Sequence, residues 1–356
     1  MGRLLSITLV GVLLAILGER IVNFSHRTRP FKEVEPIDLP NCQLLKGIEF
    51  GSEDIDVLPN GLAFISTGLK FPGLKAFAPD KPGQIMLLDL NDGDLSPSPL
   101  SFSEGFDSSS FNPHGLSTYI DEKDDAVYLF VVNHPNLQSI IEIFRFVEEE
   151  NSLIHLKSIK HELLNSVNDI IAVGPESFYA TNDYYFSNLL MKVAEVLIGL
   201  SWTGIVYYSP GDVRHVATGF YSGNGITISN DKQHLYAADA TGHTINVFKR
   251  NKDWSLSPVK VVDLDTIVDN LSVDPVTGDI WLGAHPNGYK FFVYKEDDPP
   301  YSEVVRVQNI LSNNPIITKV YVDNGSVIQG SSCASVYKGQ LLVGTVYHRA
   351  LHCQLK

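Results

Sequence analysis

One pattern recurs six times along this chain and leaves few folds open to it. Gly51–Thr67 reads GSEDIDVLPNGLAFIST: an acidic pair (Glu53-Asp54), an alternating apolar run, the turn Pro59-Asn60-Gly61 and a second apolar run. Alternation predicts strand and Pro-Asn-Gly predicts a tight turn, so the unit is a hairpin with polar residues at its mouth. His114, Asn168-Asp169, Asn224, Asp269-Asn270 and Gly330 open the other copies. With Asp54, His114, Asp169, Asn224, Asn270 and Gly330 as markers, the steps are 60, 55, 55, 46 and 60 residues. Units of this length with several short strands each predict an all-β, six-bladed β-propeller. In such a ring the innermost strands line a channel, and the residues opening them gather at one end of it.

Composition agrees with one large β unit. The 356 residues are 44% hydrophobic and 19% charged, and the net charge is −14, which speaks against nucleic acid as a partner. Two segments break the β pattern. Leu4–Leu17 is an apolar run preceded by Arg3, the length of a signal-peptide core and short for a spanning helix. No small-residue cleavage motif follows it. Residues 1–20 therefore read as an uncleaved signal-anchor, with a cleaved signal peptide as the alternative, and 21–40 as a polar tether. This places the chain in the secretory pathway, attached to a membrane if the segment is retained. The second segment, Asn188–Leu200, lacks strict alternation and reads as an apolar helix. Two readings stay open for it: a cap on the channel mouth, or an element lying in a membrane surface.

Cys42 precedes the first blade and Cys353 lies almost at the C-terminus. A disulfide between them would close the ring of 41–356 and requires an oxidising compartment. Cys333 reads as a buried thiol. Of the sequons at Asn23, Asn270 and Asn324, Asn324 looks most like an exposed, glycosylated loop tip.

The polar residues at the channel mouth carry the chemistry. Glu53 and Asp269 offer carboxylates, and Asn168, Asn224 and Asn270 offer amide oxygens. An all-oxygen set with two negative charges suits calcium. Asp54 and Asp169, the sequence neighbours of two of these, would face a second, deeper calcium with the Leu116 carbonyl, giving two ions in all. His114 opens one inner strand and His134 follows its hairpin partner, so the pair could activate water beside a polarised carbonyl. Leu69, Phe71 and Tyr221 could form an apolar substrate wall, and His285, in a second His-Pro, could line the pocket.

These motifs also resemble a known family. GSEDIDVLPNGLAF, FNPHG, VVNHP, VNDI, YYSP, VDNLSVDP, HPNG and QNIL are similar to those of the paraoxonases, calcium-dependent lactonases and arylesterases with a six-bladed propeller. LGER and FPGLKAFAPDKPG look most like the membrane-bound, mainly intracellular branch. The resemblance implies Glu53, Asn168, Asn224, Asp269 and Asn270 on a catalytic calcium. It implies Asp54, Asp169 and the Leu116 carbonyl on a structural one, His114 and His134 as a catalytic dyad, a Cys42–Cys353 disulfide and an uncleaved lipid anchor. Tyr184 stands where the family usually has His, and Ala284 where it usually has Cys, which bears on substrate preference. The expectation is hydrolysis of lipophilic lactones, N-acyl homoserine lactones among them, with aryl esters as side substrates, at a membrane or lipoprotein surface. Self-association is left open. The alternative is a calcium-stabilised propeller scaffold with no activity.

Overall fold

The computed structural model describes residues 2–71, 74–76 and 80–355. Six sheets, antiparallel throughout their hairpins, form a ring in which each innermost strand packs on the next and the last returns to the first. Those strands are Ile55–Val57, Pro113–Ile120, Val167–Gly174, Gly223–Ile228, Ile267–Val273 and Gln329–Tyr337. The six-bladed propeller expected from the repeat is therefore present.

Burial explains why no blade stands alone. The apolar core falls into six clusters, each shared by two successive blades. Phe64 and Leu87 of blade one, for instance, pack against Leu129 and Phe144 of blade two. At about 25 cal/mol per Å² of apolar surface, an isolated blade would leave both flanks wet, and only the closed ring buries all of them. Closure is made by the chain ends: Cys42–Leu44 is the outermost strand of the sixth sheet, paired with Leu351–Gln354, and the Cys42–Cys353 disulfide sits in that pair. Cys333 is buried and free, and Asn324 is exposed.

Three features differ from the sequence expectation. The stretch 91–110, whose Ser, Asp and Gly content predicts a surface loop, is not all loop, since Ser101–Phe102 pairs in parallel with the outer strand of blade two. The N-terminal helix, α1, spans Gly2–Thr28, so residues 21–28 are helical and not tether. Ile21, Val22 and Phe24 continue its apolar run, and its last turn buries Arg27 and Thr28 against the propeller. The remaining linker is clamped: Arg29 pairs with Asp265 at 2.6 Å, the Asn287 amide donates to the Pro30 and Lys32 carbonyls, and Ile37 bridges to Val322. Of the excursion Leu69–Gly83, residues 72, 73 and 77–79 lie outside the described residues.

Helix α2, Leu189–Ile198, lies within the predicted segment, with the Asn188 side chain capping its N-terminus and Gly199 in the left-handed region closing it. It is built inside out. Its one buried residue, Glu195, accepts from the Tyr185 and Phe186 amides, while Leu190, Met191 and Ile198 face outward.

A candidate active site at the mouth of the channel

The residues that open the inner strands sit where the ladder slips. Register shifts fall between Pro113 and Leu116, Val167 and Ile170, Gly223 and Ile226, and Val268 and Leu271. A bulge breaks the strict alternation of side chains. Consecutive residues such as Asn168 and Asp169 can then both serve the channel, one at its mouth and one deeper. The next blade also has to approach closely. A Cβ at Gly115 would lie 2.4 Å from Asp169 Oδ1, and one at Gly225 would lie 2.5 Å from Asn270 Cα. Only glycine fits at either place.

At the mouth, His114 Nδ1 and His134 Nε2 are 3.0 Å apart, and the Ser139 hydroxyl lies 3.3 Å from His134 Nδ1. His114 Nε2 is 3.5 Å from Glu53 Oε1. The Asn270 amide donates to Glu53 Oε1 at 3.0 Å, and His285 Nε2 is 2.7 Å from Asp269 Oδ2. All these side chains except Ser139 are buried. Burial, the largest influence, works to hold the His114 imidazole down, but the carboxylates of Glu53, Asp183 and Asp269 together outweigh it and the pKa is raised. His134 is pushed well below its usual range by burial and by its neighbour His114.

Above these groups lies a cavity of about 360 Å³, a size suited to a small organic molecule. Glu53, Asn168, Asn224 and Asp269 form its floor with His114 and His285. Leu69, Phe71, Tyr184 and Tyr221 line its walls, and the Phe71 ring stands edge-on 5.4 Å from His114. The roof is made by the two helices, Phe24 and Arg27 from α1 and Leu189, Val193 and Val196 from α2. They are tied together where Arg27 donates to the Val196 carbonyl and Arg20 to the Ile198 carbonyl. Helix α2 therefore does cap the mouth, and its outer face still presents apolar side chains beside the exposed ones of α1.

The donor set fits a hard cation. Glu53 Oε2, Asn168 Oδ1 and Asn270 Oδ1 are buried with no hydrogen-bond partner. Leaving such an atom unsatisfied costs roughly 1–3 kcal/mol, and two acceptors on the cavity floor, with a third on Asn270 bonded to Glu53, call for a positive ligand. Among the described residues no three His, Cys, Asp or Glu side chains converge as a metal cluster, and amides make up the shortfall here. Asn224 turns its Oδ1 to the Gly225 amide at 2.7 Å. Deeper in, Asp54 Oδ2 accepts from the Leu116 amide and Asp169 Oδ2 from the Ile226 amide, so each carboxylate stitches its blade to the next. Burial, then the Glu53 charge, holds the Asp54 carboxyl well above the usual range, and burial, then Asp54, does the same to Asp169. A cation between them would relieve both.

Some contributors were not foreseen from sequence. Asp183 is buried in the cavity wall, accepts from the Ser166 hydroxyl at 2.6 Å, and Ser166 in turn takes a bond from Lys192. The signal that marks Asn182-Asp183 is that it repeats the Asn168-Asp169 pair, at the end of the paired strand Ser177–Asn182. Phe24 and Arg27 lie beyond residue 20, where the sequence reads as tether, and only the helical course of α1 brings them to the cavity.

Comparison with known proteins agrees with this architecture. The arylesterase family model matches residues 33–355. Proteins named serum paraoxonase/arylesterase 2 from Gallus gallus and Homo sapiens are each 59% identical over 100% of both chains. Serum paraoxonase/arylesterase 1 and serum paraoxonase/lactonase 3 from Rattus norvegicus are 55% and 53% identical over the same span. Among solved structures, a gluconolactonase from Xanthomonas campestris superposes with a TM-score of 0.52 at 13% identity, covering 92% of this chain and 99% of that one; this likeness concerns the fold alone. By its sequence over the whole propeller, the chain belongs to the arylesterase family, that of the serum paraoxonases, and is most like the second paraoxonase.

Proposed function

We propose that this protein is a calcium-dependent hydrolase of lipophilic lactones, acting also on aryl esters. The observation that carries this reading is the trio of unpartnered buried oxygens on Glu53, Asn168 and Asn270 beside the His114–His134 pair, under an apolar roof. The names of the relatives, which include arylesterase and lactonase, support the hydrolase class.

Glu53, Asn168, Asn224, Asp269 and Asn270 would hold one calcium, and Asp54, Asp169 and the Leu116 carbonyl a second, structural one. When bound, the outer ion would supply a positive charge that polarises the substrate carbonyl. The chain's own groups do the rest. The observed distances are met when His134 donates from Nδ1 to Ser139 and His114 donates from Nδ1 to His134 Nε2. His114 Nε2 is then left facing the cavity as a proton acceptor, with the Glu53 carboxylate next to it as a second candidate base. Water loses a proton to that base and adds to the carbonyl carbon. The ring C–O bond breaks, the proton passes to the departing alkoxide, and a hydroxy acid is released. Phe71, Tyr184 and Tyr221 would bind the acyl chain, and the outward apolar faces of α1 and α2 would rest on a lipid surface. Residues 6–28 form a helix long and apolar enough to cross a membrane by length and composition.

The test is calcium returned stepwise to chelated protein, with hydrolysis of a long-chain acyl homoserine lactone and thermal unfolding followed together. Activity and stability should return at different calcium concentrations, and His114→Gln should lower turnover at least about 100-fold without changing the unfolding curve. Recovery of stability with no turnover of any lactone or ester would leave a calcium-stapled scaffold in place of an enzyme.

A further inference from the structure

The channel has a second cavity, of about 180 Å³, built from the far halves of the inner strands. The inner strands all run the same way through the ring, so this cavity opens at the end opposite the substrate mouth. The linings of the two cavities share no residue. Glu53, Asn168, Asn224 and Asp269 belong to the near one, whereas Asp54, Leu116 and Asp169 belong to the far one. Each of the two expected cation sites thus faces its own door.

The doors differ in charge. The near cavity holds both signs, Arg27 and Lys192 beside Glu53, Asp183 and Asp269. The far cavity includes three carboxylates, Asp54, Asp56 and Asp169, and among the described residues no Lys, Arg or His lines it. Asp56 stands two residues beyond Asp54 on the strand Ile55–Val57, on the same face, and is held by the Thr118 amide at 2.6 Å and the Thr118 hydroxyl at 2.8 Å. The hydroxyls of Ser272 and Ser335 are turned to the carbonyls of Ala334 and Ile55. A narrow cleft with one sign of charge and low-dielectric walls concentrates counter-ions.

We propose that the inner cation enters and leaves through this far mouth, with Asp56 as the carboxylate that admits it, while the near mouth serves substrate and the outer cation. This rests on the calcium reading above. Calcium exchange in the intact holoprotein tests it, with bound radioactive calcium chased by unlabelled calcium and its retention followed on filters. Two phases are expected. A non-hydrolysable long-chain lactam, at a concentration that abolishes ester turnover, should stop the fast phase and leave the slow one unchanged. Asp56→Asn, which keeps an oxygen for Thr118, should slow the slow phase about tenfold. If the lactam stops both phases, both ions leave past the substrate and the far door is refuted; that arm needs no variant, so it decides even if Asp56→Asn misfolds. An unchanged slow phase in well-folded Asp56→Asn removes Asp56 from the route. Protein that retains no calcium at all would sink the calcium reading itself, a result distinct from either of these.

Discussion

Gly225 offers a clean test of how the ring sets the site. Its backbone does not require glycine, because its φ is not in the left-handed region; only space does. A Cβ there would lie 2.5 Å from Asn270 Cα and 2.7 Å from both the Asp269 carbonyl oxygen and the Leu271 amide nitrogen. All three are backbone atoms, so no side chain can swing away, and the Asp269-Asn270 segment must move by roughly half an ångström or more. Overpacking of this kind costs about 1–3 kcal/mol, and contact with backbone argues for the upper end. With an unfolding entropy near 2.1 cal/mol/K per residue over the propeller, about 3 kcal/mol lowers Tm by roughly 4–5 °C. The same displacement moves Asp269 on the cavity floor and Asn270 behind it, and misplacement on this scale should lower ester turnover about tenfold or more. Gly225→Ala is compared with Gly93→Ala, whose Cβ would meet nothing within 4 Å, by calorimetry and by phenyl acetate hydrolysis. If Gly225→Ala melts within a degree of the parent and keeps full activity, the claim that inter-blade approach positions the site is wrong.

Other consequences can be checked in the same way. Replacing Cys42 and Cys353 together by Ser opens a loop of sequence separation 311; the chain-entropy estimate is at most roughly 5–6 kcal/mol, so a lowered urea midpoint is expected, and an unchanged one would mean strand pairing alone closes the ring. Burial raises the Asp239 carboxyl to about 6 even though it accepts from the Tyr221, Ser222 and Gly242 amides. The folded state then keeps its proton longer than the unfolded chain, so this group's contribution is intact below about pH 4 and is lost as pH rises through about 6, about 3 kcal/mol in all. Asp239→Asn should therefore raise the urea midpoint relative to the parent at pH 8 more than at pH 4.5, and an equal effect at both would contradict the shift. Arg27→Ala removes the donor to the Val196 carbonyl and the guanidinium 5.5 Å from the centre of the Tyr221 ring. The roof should loosen, raising KM for long-chain lactones about tenfold while phenyl acetate is little affected; equal losses on both would point to general destabilisation.

Much of this was readable in the chain because it is local. Alternating apolar residues around Pro59-Asn60-Gly61 or Lys338-Gly339 specify hairpins, and their recurrence at a near-constant step specifies how many blades the ring holds. The polar pairs Glu53-Asp54, Asn168-Asp169 and Asp269-Asn270 are visible because each opens such a hairpin, and cysteines at the two ends announce closure. The tertiary structure alone decided how these pieces meet. Strict alternation would send Asn168 and Asp169 to opposite faces; the slipped ladder, set by the neighbouring strand, turns both to the channel. Gly115 and Gly225 look like ordinary turn residues until the next blade passes within van der Waals contact of them. The last turn of α1 reads as tether until α2 offers Arg27 the Val196 carbonyl. Periodicity and turn chemistry are properties of neighbours in sequence, whereas depth in the channel, the side of the ring on which a cavity opens and the roof over it depend on neighbours in space.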